Sequence, residues 1–166
     1  MLTVDPDRAE AIAEYIRAHW GYNPVTGIVT GRKGLPIGKL RPDGALDCVT
    51  YPTGFKTSSV LLHRAAWLLM TGAWPALEID HDDRNRANNK WKNLREATHA
   101  QNRQNLSRRG KHGRLRGALP YHRKWKSMIR VGGVTQYLGL FTTEEEAHAA
   151  YCAAKLKLHT FNPEQK

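Results

Sequence analysis

The stretch that decides the fold covers residues 79–106 and reads IDHDDRNRANNKWKNLREATHAQNRQNL. Apolar Ile79 followed by acidic Asp80 predicts a short strand over residues 78–81. The run of Asp, Asn and Arg that follows predicts a loop. A second short strand is predicted over residues 93–98. Thr98 is a suitable N-cap for a helix over residues 99–106. Such a strand–loop–strand–helix unit is too small to bury a core of its own.

The chemically capable side chains lie where these predicted elements end. Asp80 carries hard carboxylate oxygens, which suit Mg²⁺ or a similar cation. His81 has an unperturbed pKa of about 6.5 and can therefore accept a proton at neutral pH. Asn102 offers a second oxygen ligand if the predicted helix packs back over the two strands. Two protein ligands leave the shell of a Mg²⁺ ion incomplete, as a phosphodiester-cleaving site requires.

The spacing of these residues carries a family resemblance. Asp80 and His81 are followed after eleven residues by Asn93, and after eight more by Asn102. This pattern resembles the ββα-metal motif of HNH nucleases, in particular the phage and intron-encoded HNH endonucleases in which Asn replaces the last His of the motif. The resemblance covers roughly residues 60–106. Its flanks are HRAAWLLMTG (63–72), WP (74–75), WKNLREAT (91–98) and QNRQN (101–105).

The resemblance implies a role for each residue of the motif. His81 is the expected general base that activates water for attack on phosphorus, and Asn93 is expected to brace the loop and keep His81 oriented. Asp80 and Asn102 are the expected ligands of one divalent metal, Mg²⁺ with Mn²⁺ as the alternative. Without the flanking matches, the same residues would indicate only a polar surface hairpin with no chemistry.

The composition narrows the class of partner. The chain of 166 residues has a formal net charge of +11, which predicts a polyanion: DNA, RNA or an anionic membrane surface. No apolar run is long enough to span a bilayer, and the first residues lack the features of a signal peptide. Cys48 and Cys152 lie far apart with no Cys-x-x-Cys pair. That usage favours a reducing compartment and argues against a structural zinc site.

Residues 1–59 are expected to form a helix and a small antiparallel sheet that contacts DNA. An N-cap residue and a proline mark the start of a helix over residues 5–20. Turn signals then separate short β-favouring stretches over residues 22–59. A second, strongly apolar helix is predicted over residues 61–71. In such a setting His63 is expected to be a structural hydrogen-bonding residue outside the active site.

The C-terminal third of the chain predicts a second folded unit. The HNH module is expected to end at residue 106, and a basic linker with two glycines to cover residues 107–116. Residues 117–166 contain three β-favouring stretches and then a helix, with a strong hairpin signal at Gly132-Gly133. We therefore predict an α+β chain: a small antiparallel sheet, a ββα-metal nuclease core, and a three-stranded antiparallel sheet packed on one helix.

This second unit resembles the AP2 DNA-binding domain. The residues that carry the likeness are Arg116-Gly117, Lys124-Trp125, Ile129-Arg130-Val131, Leu138-Gly139-x-Phe141, Thr143-Glu144-Glu145-Glu146-Ala147 and Ala149-Ala150-Tyr151-x-Ala153-Ala154. The resemblance implies that the sheet enters the major groove of duplex DNA. Pro120 in the first strand and Cys152 after the tyrosine depart from the family pattern, which affects the base contacts more than the fold.

Basic side chains along the whole chain are the expected DNA contacts, because phosphate contacts dominate affinity for nucleic acids. The candidates are Arg84, Arg86, Arg95, Arg103, Arg108, Arg109, Lys111, Arg116, Arg123, Lys124, Lys126 and Arg130. Double-stranded DNA is the expected partner, and no membrane partner is expected.

The sequence thus predicts a metal-dependent HNH DNA endonuclease of the phage homing or nicking type. A single active site predicts one nick per binding event by a monomer, whereas a double-strand break would require dimerisation or two visits. The resemblance to phage enzymes places the expected activity in the cytoplasm of a bacterial host. Two alternatives stay open at this point: a catalytically inactive HNH-fold DNA-binding regulator, and a nuclease that acts on RNA or structured nucleic acid.

Overall fold

The computed structural model describes residues 5–105 and 113–159. The chain is a mixed α/β structure with small antiparallel sheets, and it divides into two compact units, Met1–His99 and Ala100–Lys166. The predicted fold class is confirmed at this level. The finer subdivision predicted at residues 59, 106 and 116 stays a prediction.

The first unit begins with helix α1, Pro6–His19. The Asp5 carboxylate accepts a hydrogen bond from the backbone N–H of Asp7 at 3.1 Å, and Pro6 occupies the first turn, where its missing N–H costs nothing. The predicted start of this helix is therefore confirmed. Its buried residues, Ile12, Ala13 and Ile16, recur at helical spacing and form one apolar face.

Five short strands follow in two antiparallel sheets. Strands β1 (Gly21–Tyr22) and β2 (Val29–Thr30) form a hairpin, and strands β3 (Lys39–Leu40), β4 (Leu46–Thr50) and β5 (Ser58–Leu61) form a three-stranded sheet. The last strand begins at Ser58, three residues after Phe55. A turn occupies that position, because the backbone N–H of Phe55 donates to the carbonyl of Pro52 at 3.3 Å.

Helix α2, Leu62–Thr71, is the central element of the first unit. It ends at Gly72, whose φ of 79° is the left-handed conformation typical of a helix C-cap. One face of α2 packs into the main core together with α1 and the first two sheets. The buried members of that core are Ile12, Ala13, Ile16, Trp20, Val29, Val60, Leu62, Ala65 and Leu68.

The other face of α2 supports the predicted strand–loop–strand segment. Strands β6 (Glu78–His81) and β7 (Leu94–Ala97) pair antiparallel, and a 3₁₀ turn, Trp91–Asn93, leads into β7. Ile79 of β6 and Leu94 of β7 form a small cluster with Ala66 of α2. This hairpin, which has little apolar area of its own, is therefore covered by the helix that precedes it in the chain.

The second unit contains a short helix and a separate sheet. Helix α3 covers His99–Gln104, and the predicted end at Leu106 lies outside the described residues. Strands β8 (Ala118–Tyr121), β9 (Lys124–Val131) and β10 (Val134–Phe141) form an antiparallel sheet in the order β10-β9-β8. Gly132 and Gly133 form the β9–β10 turn with φ of 57° and 85°, as the Gly-Gly signal predicts.

Helix α4, Glu144–Leu158, packs against this sheet. Thr143 caps it in a capping box with Glu146, in which each side chain accepts a hydrogen bond from the other residue's backbone N–H. The hydroxyl of Ser127, buried on β9, donates to the carbonyl of Ala147 at 2.7 Å. The predicted sequence of three strands and a helix is present, while its likeness to the AP2 domain stays a prediction.

Within residues 5–105 and 113–159, no helix is both long enough and apolar enough to cross a bilayer. Cys48 and Cys152 belong to different units, and neither forms a disulfide bond within the described residues.

Candidate active site

Strand β6 delivers Asp80 and His81 to a buried position at its C-terminal end. The two residues are only 6% and 4% exposed. Asp80 lies directly opposite Arg95 on strand β7, so the hairpin register sets the partner of this carboxylate.

A buried ion pair neutralises the Asp80 carboxylate. Nε and Nη2 of Arg95 donate to its Oδ2 at 3.0 and 2.8 Å, and Nη1 of Arg95 lies 2.5 Å from Oδ1 of Asp82. The Arg95 side chain is 21% exposed, so this guanidinium serves two carboxylates in a partly dry environment. A buried carboxylate requires such a partner, because its desolvation is costly when it is unpaired. Arg95 was predicted as a DNA contact, and its observed partners within the unit are these two acids.

Asn93 braces the loop between the two strands. Its side-chain Oδ1 accepts from the backbone N–H of Asp83 at 2.9 Å, and its Nδ2 donates to Asp83 Oδ1 at 2.9 Å and to the Asn88 carbonyl at 2.7 Å. Its backbone carbonyl also accepts from the N–H of Asp82 at 2.9 Å. The side chain and the backbone carbonyl of Asn93 together bind three residues of the loop, Asp82, Asp83 and Asn88.

The ring of His81 is held by Asn89, a residue that the motif did not single out. Nε2 of His81 lies 3.0 Å from Oδ1 of Asn89, which is 2% exposed. Burial lowers the pKa of His81 below its ordinary value of 6.5, against the opposing effects of the Asn89 hydrogen bond and the nearby Asp83 and Asp80 charges. The imidazole is therefore neutral at physiological pH. A neutral ring that donates from Nε2 carries its basic lone pair on Nδ1.

His63 of helix α2 lies against His81. The two rings meet edge-to-face with centroids 5.1 Å apart, and His63 is 6% exposed with its Nδ1 buried and without a hydrogen-bond partner among the described residues. Burial first, and then the neighbouring His81 and Arg64, lower the pKa of His63 to about 3. From the sequence, His63 was expected to lie outside the active site. A histidine within an otherwise apolar helix was the available signal that it could lie beside His81.

The second expected metal ligand belongs to the other unit. Asn102 lies on helix α3, within Ala100–Lys166, whereas Asp80 lies within Met1–His99. The predicted metal pair of Asp80 and Asn102 therefore stays a prediction. Among the residues that the structure describes, no group of three or more His, Cys, Asp and Glu side chains is arranged to hold a metal ion.

The candidate DNA-binding residues are distributed over both units. In the first, Arg86 donates to the Asp43 carboxylate at 2.9 Å, and Arg84 has a positive φ of 65°. In the second, Arg103, Arg123, Lys124 and Arg130 are exposed, while Arg116 and Lys126 are half-buried. Arg108, Arg109 and Lys111 lie outside the described residues.

The comparison with protein families gives a match at this site. Residues 60–104 match the model of the HNH endonuclease family. The matched segment is similar to an HNH endonuclease domain. It contains helix α2, both strands of the β6–β7 hairpin, and all four motif residues: Asp80, His81, Asn93 and Asn102. The predicted nuclease class is thereby confirmed for this part of the chain.

Other comparisons give limited matches. A solved structure of DNA binding and cleavage by the HNH homing endonuclease I-HmuI is 27% identical to this chain, with a TM-score of 0.41. The match covers 49% of this chain and 48% of that chain, so the chain spans about half the length of the protein it matches. No curated protein was found to match the chain.

Replacing His63 by Leu is expected to flatten the pH dependence of the free energy of unfolding below neutral pH. The unfolded chain takes up a proton on His63 near its ordinary pKa of 6.5, whereas the folded chain excludes that proton down to about pH 3. The stability contributed by the neutral ring is thus present above pH 6.5 and is lost as the pH falls. Wild type should lose about 2 kcal/mol from this residue by about pH 5.

Urea unfolding followed by tryptophan fluorescence at a series of pH values measures this effect. His122→Gln, which changes an exposed histidine of the second unit, serves as the control. An equal acid-dependent loss in wild type and His63→Leu would contradict the assignment of that loss to His63.

Proposed function

We propose that this protein is a divalent-metal-dependent HNH endonuclease that hydrolyses phosphodiester bonds in duplex DNA. The observation that carries the proposal is a buried, neutral His81 next to Asp80, held in place within the segment that matches the HNH endonuclease family. The family match supplies the class of chemistry. The burial and contacts of His81 and Asp80 support the assignment of this chemistry to these two side chains.

His81 is the proposed general base. Its lowered pKa keeps the ring unprotonated at neutral pH, so it can take a proton from the water molecule that attacks phosphorus. The contact between Nε2 and Oδ1 of Asn89 holds the imidazole in place. Asn93 acts indirectly, because it fixes the loop from which Asn89 projects.

Asp80 is the proposed protein ligand of a divalent cation in this unit, and Asn102 is its proposed partner. The donor chemistry of Asp80 fits such an ion. A carboxylate supplies the hard oxygen atoms that Mg²⁺ prefers, and Arg95 donates to Oδ2 of this carboxylate. When bound, the metal stabilises negative charge on the phosphate and on the leaving oxygen. We propose Mg²⁺ as the ion, with Mn²⁺ as the alternative.

The proposed substrate follows from the charge of the chain. A net charge of +11 favours a polyanion, and the exposed Arg123, Lys124 and Arg130 add cations near both ends of strand β9 in the second unit. The resemblance to phage HNH enzymes supports a homing or nicking role in the cytoplasm of a bacterial host. A single motif per chain supports a monomer that makes one nick per binding event.

His81→Ala is expected to abolish metal-dependent nicking of supercoiled plasmid DNA. Removal of a general base lowers the rate of cleavage by about 10² to 10⁴. The measurement is conversion of supercoiled to open-circle plasmid in Mg²⁺, in Mn²⁺ and in EDTA. His19→Ala on helix α1 is the matched control and should cleave like wild type.

Each pattern of products in this assay has a distinct meaning. Open-circle product that requires a metal ion and disappears in His81→Ala would support the proposed nicking endonuclease, and linear product would indicate paired active sites. Retained DNA binding without cleavage by wild type, on cognate DNA, would instead favour the inactive regulator. Faster cleavage of RNA than of duplex DNA in a parallel reaction would contradict the proposed substrate.

Asp80→Asn is expected to remove cleavage but to leave DNA affinity unchanged or slightly higher. The substitution removes a negative charge that repels phosphate, and it releases part of the charge of Arg95 from its ion pair. Affinity is measured by fluorescence anisotropy in EDTA, and cleavage by the plasmid assay. Asp7→Asn, which makes the same change of charge on helix α1, is the control. A large loss of affinity in Asp80→Asn would count against this account.

Combined replacement of Arg123, Lys124 and Arg130 by Gln is expected to weaken DNA binding and to flatten its salt dependence. Each lost phosphate contact reduces the slope of log affinity against log salt by about 0.9, so the slope should fall by about 2 to 3. Titrations at several salt concentrations measure this slope. A double variant with Arg17→Gln and Lys157→Gln provides the control, and an unchanged slope in the triple variant would rule out this surface.

A further inference from the structure

The proposed base depends on a side chain that nothing in the HNH motif assigns. Asn89 is 2% exposed, and its Oδ1 lies 3.0 Å from Nε2 of His81. Its Nδ2 is buried without a hydrogen-bond partner among the described residues. A buried amide that satisfies only one of its two polar ends is a poor choice for stability alone. Its location beside His81 indicates that its use lies in holding the imidazole.

The backbone of Asn89 is in turn held by the N-terminal hairpin of the same unit. The hydroxyl of Tyr22, on strand β1, donates to the Asn89 carbonyl at 2.7 Å. Two residues further along, the backbone N–H of Trp91 donates to the carbonyl of Pro24 in the turn between β1 and β2 at 2.9 Å. The segment that carries Asn89 is therefore fixed at two points by residues that lie some 65 positions earlier in the chain.

Close packing between the β1–β2 turn and residues 89–90 adds to these two hydrogen bonds. Gly27, in the same turn, has a φ of 77°, and a Cβ added there would lie 2.5 Å from the backbone N of Lys90 and 2.6 Å from the carbonyl carbon of Asn89. The backbones of the turn and of residues 89–90 therefore touch directly, and only glycine fits. The Asn23 side chain shapes this turn, because its Oδ1 accepts from the N–H groups of Val25 and Thr26 at 3.0 Å each.

We propose that the β1–β2 hairpin and Asn89 form a positioning relay for His81. The hairpin, through Tyr22, Pro24 and Gly27, holds the backbone of Asn89, and the Asn89 side chain accepts a hydrogen bond from Nε2–H of His81. The imidazole is thereby kept in one orientation and one neutral tautomer, with its lone pair on Nδ1. Asn89 and Tyr22 are positioning residues and do not touch the substrate. The catalytic part of this inference rests on the proposed endonuclease function.

The relay gives residues 21–30 a role beyond the DNA contacts expected for the N-terminal region. Tyr22 also packs against both apolar clusters of the unit, so the hairpin links the main core to the β6–β7 hairpin. Burial raises the pKa of Tyr22 to about 12, which keeps its hydroxyl protonated as a donor. The active-site loop is thus tied to a part of the chain that lies outside the segment matched to the HNH family.

The first test measures the tautomer of His81 and does not require activity. Long-range ¹H–¹⁵N NMR on the full chain with ¹⁵N-labelled histidine, at about pH 8, reports which ring nitrogen carries the proton, and His81→Ala assigns the signals. We expect Nε2–H in wild type and a mixture of tautomers in Asn89→Leu. An Nδ1–H ring in wild type, or an unchanged tautomer in Asn89→Leu, would overturn the relay.

The second test measures cleavage. Asn89→Leu should lower kcat by about 10- to 100-fold, the usual effect of losing a group that orients a site residue, with little change in KM for DNA. Asn89→Asp keeps the acceptor oxygen and should recover most of this loss of kcat. If the Leu variant does not fold, Asn89→Asp is the variant that is compared with wild type. Tyr22→Phe should lower kcat by about 2- to 10-fold, the equivalent of one hydrogen bond. Equal losses in the Leu and Asp variants would contradict the orienting role.

A control variant distinguishes a loss of kcat caused by the relay from one caused by a general loss of core packing. Tyr15→Phe changes another tyrosine that is partly buried against the same core, and it should leave kcat unchanged. An equal loss in Tyr15→Phe and Tyr22→Phe would assign the effect to the core and overturn the role of Tyr22. If wild type binds DNA but does not cleave it, the proposed function fails, while the NMR measurement still decides whether Asn89 holds His81.

Discussion

The structure of the first unit depends on helix α2 being buried on two sides. Its Leu62, Ala65 and Leu68 face the main core shared with α1, while Ala66 on another side packs against Ile79 and Leu94 of the β6–β7 hairpin. A two-stranded hairpin is marginally stable in water by itself. The position of Asp80 and His81 therefore depends on the burial of a helix that contributes neither residue, and that helix in turn depends on the N-terminal region for its other contacts.

A second constraint is that the polar side chains of the site are buried next to the apolar residues that support the β6–β7 hairpin. Asp80, His63 and His81 are all at least nine-tenths buried, so each is largely removed from water. The free-energy cost of this desolvation is offset in one way for the carboxylate and in another for the two imidazoles. The Asp80 carboxylate is paired with Arg95, whereas the two imidazoles remain neutral because burial lowers the pKa of each. In the proposed mechanism, the neutral ring of His81 accepts a proton while the neighbouring Asp80 offers oxygen atoms to a cation.

The motif residues could be found in the sequence because their spacing reflects local structure. Asp80 and His81 end one strand, and Asn93 precedes the strand that pairs with it, so a few residues of separation define their relation. Asn89 and His63 could not be assigned in this way. The side chain of Asn89 is one of several similar residues in a polar loop, and the contact of His63 with His81 exists only because α2 crosses the hairpin.

The sequence by itself determined the elements of this protein, the positions of its nuclease motif and the positive charge that favours a polyanion. Periodicity, capping residues and turn signals act over a few residues, and α1, α2, the C-terminal hairpins and α4 followed from them closely. Only the tertiary structure decided that Arg95 pairs with Asp80 and Asp82, and that Tyr22 and Gly27 hold the backbone of Asn89. The register of the β6–β7 hairpin places Arg95 opposite Asp80. Packing between segments far apart in the chain selects Tyr22 and Gly27 as the partners of Asn89.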